Sequence, residues 1–185
     1  MSRQANQTVV PSRQCGSCTL CCKLLGIAAL EKPRNSWCRH CAPGKGCGIY
    51  ETRPEECRAF HCGWITSADL GEEWRPDRAK LLLAREAGGR IVVHCDAAAP
   101  GAWRRAPFYA QIKAWATKRA DGSRQDVVVL TGNRITFLAP EGEFDLGQRG
   151  PGEQMLTRYA ENGSLVEVRL VAKPVSAEAS AGGSP

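Results

Sequence analysis

The sequence lacks any apolar run long enough to cross a bilayer, since a membrane-spanning helix needs roughly 20 apolar residues. Residues 1–14 also lack the apolar segment of a secretory signal. Neither a membrane partner nor export is therefore expected, and we predict a cytoplasmic protein.

The chain also lacks the charge pattern of a nucleic-acid-binding protein. Its net charge is +6, but the 25 Lys and Arg residues are dispersed among 19 acidic residues, and no basic run of five occurs. A zinc-ribbon nucleic-acid binder is a possible alternative, yet acidic side chains are interspersed through the cysteine-rich region at Glu31, Glu51, Glu55 and Glu56. We therefore expect no nucleic-acid partner.

Recognisable catalytic motifs are absent as well. The sequence contains no G-x-G-x-x-G, Walker loop, H-E-x-x-H or G-x-S-x-G. A thioredoxin-like C-x-x-C pair would follow a strand and open a helix, whereas Cys15 follows a polar segment. No catalytic residue is assigned, and the sequence does not favour an enzyme.

Cysteine, in contrast, is abundant and concentrated in one region. The chain has ten cysteines, and nine of them lie between Cys15 and Cys62. In a reducing compartment this density indicates metal binding rather than a disulfide framework, and an odd number fits closed disulfide pairing poorly. The remaining cysteine, Cys95, follows the apolar run 91–93 and is expected to pack in the core.

Two pairs of these cysteines have the spacing of a zinc site. Nineteen residues separate Cys15-x-x-Cys18 from Cys38-x-x-Cys41, within the range of known four-cysteine zinc sites. A site closed by four thiolates would be structural, because it leaves no position for water.

The adjacent Cys21 and Cys22 do not fit a single site. In a helix their side chains would diverge by about 100°, while Cys18 and Cys22 would share a face. One of the adjacent pair is therefore expected to serve a second ion, to bridge two ions, or to pack in the core.

A third group lies around a predicted short helix. Thr52 and Glu55 form a capping-box pattern, and a helix from about Arg53 would place Cys57 and His61 on one face. His40 and His61 each adjoin a cysteine but are explained better as surface histidines than as ligands. The thiols left for a second site are Cys21, Cys22, Cys47, Cys57 and Cys62.

These motifs resemble a known family. The cysteine-rich region is similar to the bacterial YkgJ-like cysteine-cluster family of zinc- or iron-chelating domains. The resemblance lies in Cys15-x-x-Cys18-x-x-Cys21-Cys22, then Cys38, and then Cys47-x-Ile49-Tyr50-Glu51-x-Arg53-Pro54-x-x-Cys57-Arg58-x-Phe60. The resemblance covers about residues 15–62. It implies chelation by Cys15, Cys18, Cys21, Cys22, Cys38, Cys47 and Cys57, whereas a ligand role for Cys41 and Cys62 rests on spacing alone.

Two kinds of metal centre remain open. The two C-x-x-C pairs favour zinc, whereas the adjacent cysteines favour iron or an iron–sulfur cluster. A related cluster in flagellin lysine-N-methylases also points to iron–sulfur chemistry, in electron transfer or as an enzyme component. Zinc is our preferred ion.

The second half of the chain predicts a small antiparallel sheet with one helix, and so an α+β fold. Alternating strands flank turns at residues 88–89 and 131–133, an amphipathic helix spans residues 106–118, and a further strand spans residues 164–171. The expected organisation is a disordered segment at 1–13, a loop-rich metal-binding region with short helices at 14–64, a small α+β region packed on it at 65–171, and a disordered tail at 172–185.

Overall fold

The computed structural model describes residues 8–86, 89–118 and 123–173. Its α-helices are α1 (Leu20–Leu24), α2 (Glu55–Ala59), α3 (Gly63–Thr66), α4 (Pro76–Ala79) and α5 (Phe108–Trp115), and short 3-10 helices span Ala28–Leu30, Glu72–Trp74 and Ala102–Arg104. Its strands are β1 (Cys41–Ala42), β2 (Gly46–Cys47), β3 (Leu81–Arg85), β4 (Ile91–Cys95), β5 (Thr117–Lys118), β6 (Arg124–Gln125), β7 (Val127–Thr131), β8 (Arg134–Ala139), β9 (Gly142–Gln148), β10 (Glu153–Tyr159) and β11 (Leu165–Ala172).

The fold is α+β, as predicted, but its central sheet is mixed rather than purely antiparallel. Five strands lie in the order β3-β4-β7-β8-β9. Strands β4 and β7 are parallel, with Val93 opposite Val129, and the other neighbours are antiparallel. Parallel neighbours need a crossover connection. The chain supplies one between β4 and β7, and this connection contains α5.

Most of the predicted elements are confirmed. Strands β3 and β4 pair as the first hairpin, and β7 and β8 pair around Gly132, whose φ of 60° suits a tight turn. Residue 88 of the first turn lies outside the described residues. Helix α5 is shorter than predicted, since Pro107 immediately precedes it. The predicted last strand is β11, and its partner β10 was not predicted.

The central strands are apolar on both faces. Side chains alternate along a strand, so Val93 faces one core and Val92 the other. The first core contains Trp74, Phe108 and Ile112, with which Leu20 and Leu24 of α1 are clustered. The second core is covered partly by apolar side chains of β10 and β11. Burial on both faces explains why these strands read as continuous apolar runs.

The cysteine-rich region is attached to the sheet by polar contacts as well as by α1. Lys23 Nζ lies 2.7 Å from Asp96 Oδ1, just beyond β4. Burial, the largest single effect, would raise the pKa of Asp96, but the hydrogen bonds from Lys23 and the Ala98 amide, together with the charges of Lys23 and Lys80, lower it overall. A carboxylate this buried needs such a partner.

Residues 8–13 belong to the segment that we expected to be disordered, yet they are held against α3. The Val10 amide donates to the Ile65 carbonyl at 2.9 Å. The Arg13 guanidinium donates to three carbonyls, those of Trp64, Ser67 and Leu70. Residues 1–7 and 174–185, also expected to be disordered, lie outside the described residues, and β11 includes Ala172.

A search of the described residues finds no helix with the length and apolar character needed to span a membrane.

A second contact between the two regions joins Arg34 to His94 of β4, and it predicts a pH dependence of stability. Arg34 Nη2 donates to His94 Nδ1 at 2.9 Å. Burial and the nearby Arg34 charge lower the pKa of His94 to about 3. Below about pH 6.5, His94 is therefore protonated in the unfolded chain but stays neutral in the folded chain. The free energy of unfolding consequently falls as the pH falls.

We expect this histidine to lower the free energy of unfolding by about 2 kcal/mol between pH 7 and pH 5. His94→Gln keeps an oxygen acceptor for Arg34 but does not titrate. Urea unfolding of both proteins at the two pH values measures the difference. An equal loss of stability in the variant would contradict the assignment.

Candidate metal centre

A cavity of about 130 Å³ lies within the cysteine-rich region. By this measure one water needs about 10–15 Å³, so the cavity is larger than a single ion requires. Its wall combines thiols with apolar side chains, among them Leu25, Ile27 and Leu82. The cysteines that line it are Cys15, Cys18, Cys21, Cys22, Cys38, Cys47, Cys57 and Cys62.

Short elements bring these cysteines from distant points in the chain. Cys15 and Cys18 lie in a turn closed by a 2.9 Å hydrogen bond between their backbones. Helix α1 begins only at Leu20, so Cys18 does not share a helical face with Cys22 as the sequence suggested. Both members of the adjacent pair, Cys21 and Cys22, do lie in α1.

The ladder of β1 and β2 places two further cysteines side by side. Cys41 and Cys47 are direct partners in this antiparallel pair. Side chains of directly opposed residues project to the same face, with Cβ atoms about 5 Å apart. The Cys38 amide donates to the Cys22 carbonyl at 3.0 Å, which ties this hairpin to α1.

The strongest interactions among the thiols define two groups, which a weaker interaction between Cys15 and Cys22 connects. The Cys22 group consists of Cys21, Cys22, Cys38, Cys41, Cys47 and Cys57. A hydrogen bond to the Cys21 thiol and burial raise the pKa of Cys22, which also hydrogen-bonds to the Cys41 thiol. Burial, followed by the charges of Cys22, Cys47 and Cys38, raises the pKa of Cys57.

The Cys15 group consists of Cys15, Cys18 and Cys62. Burial, with smaller effects from the charges of Cys15 and Cys18, raises the pKa of Cys62 to about 11. Burial and the Cys18 charge, with a smaller effect from the Cys22 charge, likewise raise the pKa of Cys15. These contacts differ from the grouping expected from spacing, in which Cys15 and Cys18 join Cys38 and Cys41; that four-thiolate site stays a prediction.

The structure differs in two respects from the prediction for the third cysteine group, the one around Cys57. Helix α2 begins at Glu55 after Pro54, and the expected capping box does not form, because no side chain caps this helix. The helix ends at Ala59, so His61 lies beyond it rather than one turn above Cys57. His61 still lines the cavity. His40 instead lies beside Arg39, with 3.2 Å between Arg39 Nε and His40 Nε2.

Lys32 is a residue of the site that the sequence did not reveal. It is buried in the cavity wall, and its ammonium group donates to the carbonyls of Lys23, Leu25 and Pro33. Burial lowers its pKa, while the charges of nearby cysteines, Cys38 first, act in the opposite direction. The local sequence offers no signal for this, because Lys32 reaches the cavity through the bridge with Ile27.

Trp64 is a second constituent of the cavity wall. It is 5% exposed, and within the described residues its indole nitrogen has no hydrogen-bond partner. Trp37, which directly precedes Cys38, is in contrast 44% exposed. Only the first of these tryptophans therefore encloses the thiols.

Cys95 lies apart from the cavity, as predicted. It is 1% exposed in β4, and its thiol lies 3.3 Å from the Ala99 carbonyl oxygen. It provides a cysteine of matched chemistry outside the site.

The donor set fits a thiolate-bound metal, since all ten cysteines are described and none is in a disulfide. Thiolate sulfur suits zinc, copper(I) and iron–sulfur centres. Across residues 8–86, 89–118 and 123–173, however, no three His, Cys, Asp or Glu side chains form a group already placed to hold an ion. The thiols surround a space, and they would have to close on an ion to ligate it.

Comparison of the chain with protein-family models, with curated proteins and with solved structures finds no match in any of the three.

Proposed function

We propose that this protein is a metal-binding protein that holds its ions mainly through cysteine thiolates, with zinc as the preferred ion. One observation carries the proposal: eight reduced cysteines line a single cavity. Thiols that served only in core packing would lie against other side chains instead of lining a cavity together. This is also the activity implied by the resemblance to the YkgJ-like family.

The physical chemistry of the thiols supports the same conclusion. Burial, the largest cause for most of them, raises the pKa of several cavity cysteines, among them Cys15, Cys18 and Cys57. Without a cation these thiols therefore stay protonated at neutral pH. A metal ion reverses that preference, because thiols ligate as anions and release their protons on binding. A reducing compartment such as the cytoplasm would keep these cysteines free of disulfides.

A second candidate is an iron–sulfur protein, acting in electron transfer or as an enzyme component. The size of the cavity favours it, since about 130 Å³ exceeds the space that one ion needs. Four thiolates ligate one cluster, and the cavity wall offers eight.

Metal analysis of protein purified without oxygen tests both candidates. Bound zinc in a colourless protein is the expected result. A brown protein containing iron and inorganic sulfide would favour the iron–sulfur candidate. Protein that contains no metal, and takes up neither zinc nor iron when these are supplied, would overturn the proposal.

Matched cysteine variants show where the metal is held. Cys22→Ser is expected to reduce the bound metal by at least one ion per chain, because this thiol lines the cavity. Cys95→Ser is the control, and its metal content should equal that of the unmodified protein. Equal losses in both variants would mean that the cavity is not the binding site.

A further inference from the structure

Backbone contacts link several cysteines of the Cys22 group. Cys21 and Cys22 are consecutive in α1, and the Cys38 amide bonds to the Cys22 carbonyl. The Cys41 amide in turn bonds to the Cys38 carbonyl at 3.0 Å. Cys41 is therefore linked to α1 through a chain of backbone contacts.

Within this group, Cys22 is the common neighbour. Cys21 precedes it in α1, its carbonyl accepts from the Cys38 amide, and the thiols of Cys21 and Cys41 both influence the pKa of its own thiol. Because Cys47 lies directly opposite Cys41 in the ladder, a second thiol stands beside that of Cys41. Cys22 is thus flanked by thiols from two separate elements.

The number of thiols then limits how ions can be held. One tetrahedral ion needs four ligands, which leaves two of the six thiols unused. Two tetrahedral ions have eight coordination positions, and six thiolates fill these only if two of the thiolates each bind both ions. A bridging thiolate must have ligands of both ions around it, and this is the position of Cys22.

We propose that the Cys22 group holds two divalent ions as a binuclear thiolate centre in which Cys22 is one of the two shared ligands. This inference rests on the proposed metal-binding function. Formation of the centre joins two divalent cations to six thiols, releases six protons to solvent and leaves a charge of −2. No electron is transferred. Lys32, a buried ammonium in the cavity wall, offsets part of that charge.

The three thiols of the Cys15 group stay outside this centre. Cys15 and Cys18 precede α1, and Cys62 directly precedes α3. Three thiolates do not complete a tetrahedral site, so an ion held there would need a ligand of another kind.

Cadmium NMR on the full-length chain tests the shared ligand. The protein is exchanged with ¹¹³Cd²⁺ without oxygen, and its one-dimensional and correlation spectra are recorded. Two ¹¹³Cd resonances that are scalar-coupled to each other are expected, since such coupling passes through a common thiolate sulfur. Bound cadmium whose resonances show no mutual coupling would overturn the binuclear centre and leave the metal-binding function intact. Failure to bind any cadmium would overturn both.

Two variants assign the bridge. Cys22→Ser is expected to abolish the coupling and to lower the cadmium bound by one ion per chain, whereas Cys95→Ser should retain the coupled pair. Two bound cadmium ions with an unchanged coupling constant in Cys22→Ser would show that Cys22 is not a shared ligand. Should the Cys22 variant fail to fold, the spectrum of the unmodified protein decides whether two ions share a thiolate.

Discussion

Treatment of the metal-loaded protein with a strong chelator is expected to remove backbone amide protection from residues 15–62 and to leave the central sheet protected. The cysteine-rich region has little secondary structure to hold it without metal, since its helices α1 and α2 have five residues each and its strands have two. Helices this short do not persist in water by themselves.

The expected effect is large because metal binding and folding are one process in such regions. Structural zinc sites contribute apparent free energies of about 10 kcal/mol or more. The sheet has independent support from the apolar side chains buried on both its faces. Removal of the metal should therefore unfold one region and spare the other.

Hydrogen-exchange mass spectrometry with and without chelator measures this directly. Peptides from β4, β7 and β8 are the internal control, and their exchange should change little. Readdition of zinc should restore protection in the cysteine-rich region. Identical exchange of residues 15–62 in both states would contradict a structural role for the metal.

Trp74→Ala is expected to lower the free energy of unfolding by about 3–5 kcal/mol, the typical cost of removing a fully buried tryptophan. Trp74 is 1% exposed in the first core. Its ring centroid lies 4.8 Å from that of Phe108 and 5.2 Å from that of Trp115. Its indole nitrogen donates to Gln111 Oε1 at 2.6 Å.

The alanine variant loses these contacts together and leaves a cavity between α5 and the sheet, because large side chains around a deleted ring relax only partly. It also leaves the Gln111 amide without its donor. Urea unfolding of the metal-loaded proteins measures the change.

Trp37→Ala is the matched control, since Trp37 is 44% exposed and a surface substitution usually changes stability by less than about 0.5 kcal/mol. Trp74→Phe should have an intermediate effect. A loss in Trp74→Ala no larger than that of the Trp37 control would show that this core does not depend on Trp74.

The sheet could be predicted largely from the sequence because its signals are local. Alternating apolar runs around Gly132 predict the hairpin of β7 and β8 without reference to the rest of the chain. The parallel pairing of β4 with β7 could not be read in this way, since it depends on how the connection that contains α5 crosses the sheet. Strand β10 was missed because its Gln154, Thr157 and Arg158 dilute the apolar alternation.

The cysteines that line the cavity could be singled out from the sequence, but their arrangement could not. Motif spacing identified every thiol that lines the cavity, because spacing is a property of the chain itself. Their neighbours depend on tertiary contacts, such as the placement of Cys38 beside Cys22. The burial of Lys32 in the cavity wall could not be predicted for the same reason, since a lone lysine near a proline normally indicates a solvated turn.

The Arg13 contacts give the cysteine-rich region the topology of a closed loop. The guanidinium group binds carbonyls 51 to 57 positions further along the chain, and so holds together the two ends of the segment that contains the nine clustered cysteines. The entropic cost of closing the loop is therefore borne by these hydrogen bonds and not by metal binding. A chain that has lost its metal therefore keeps its thiols close together within a closed loop. An ion that binds again meets ligands that are already near one another, instead of ligands on a segment that is free at one end.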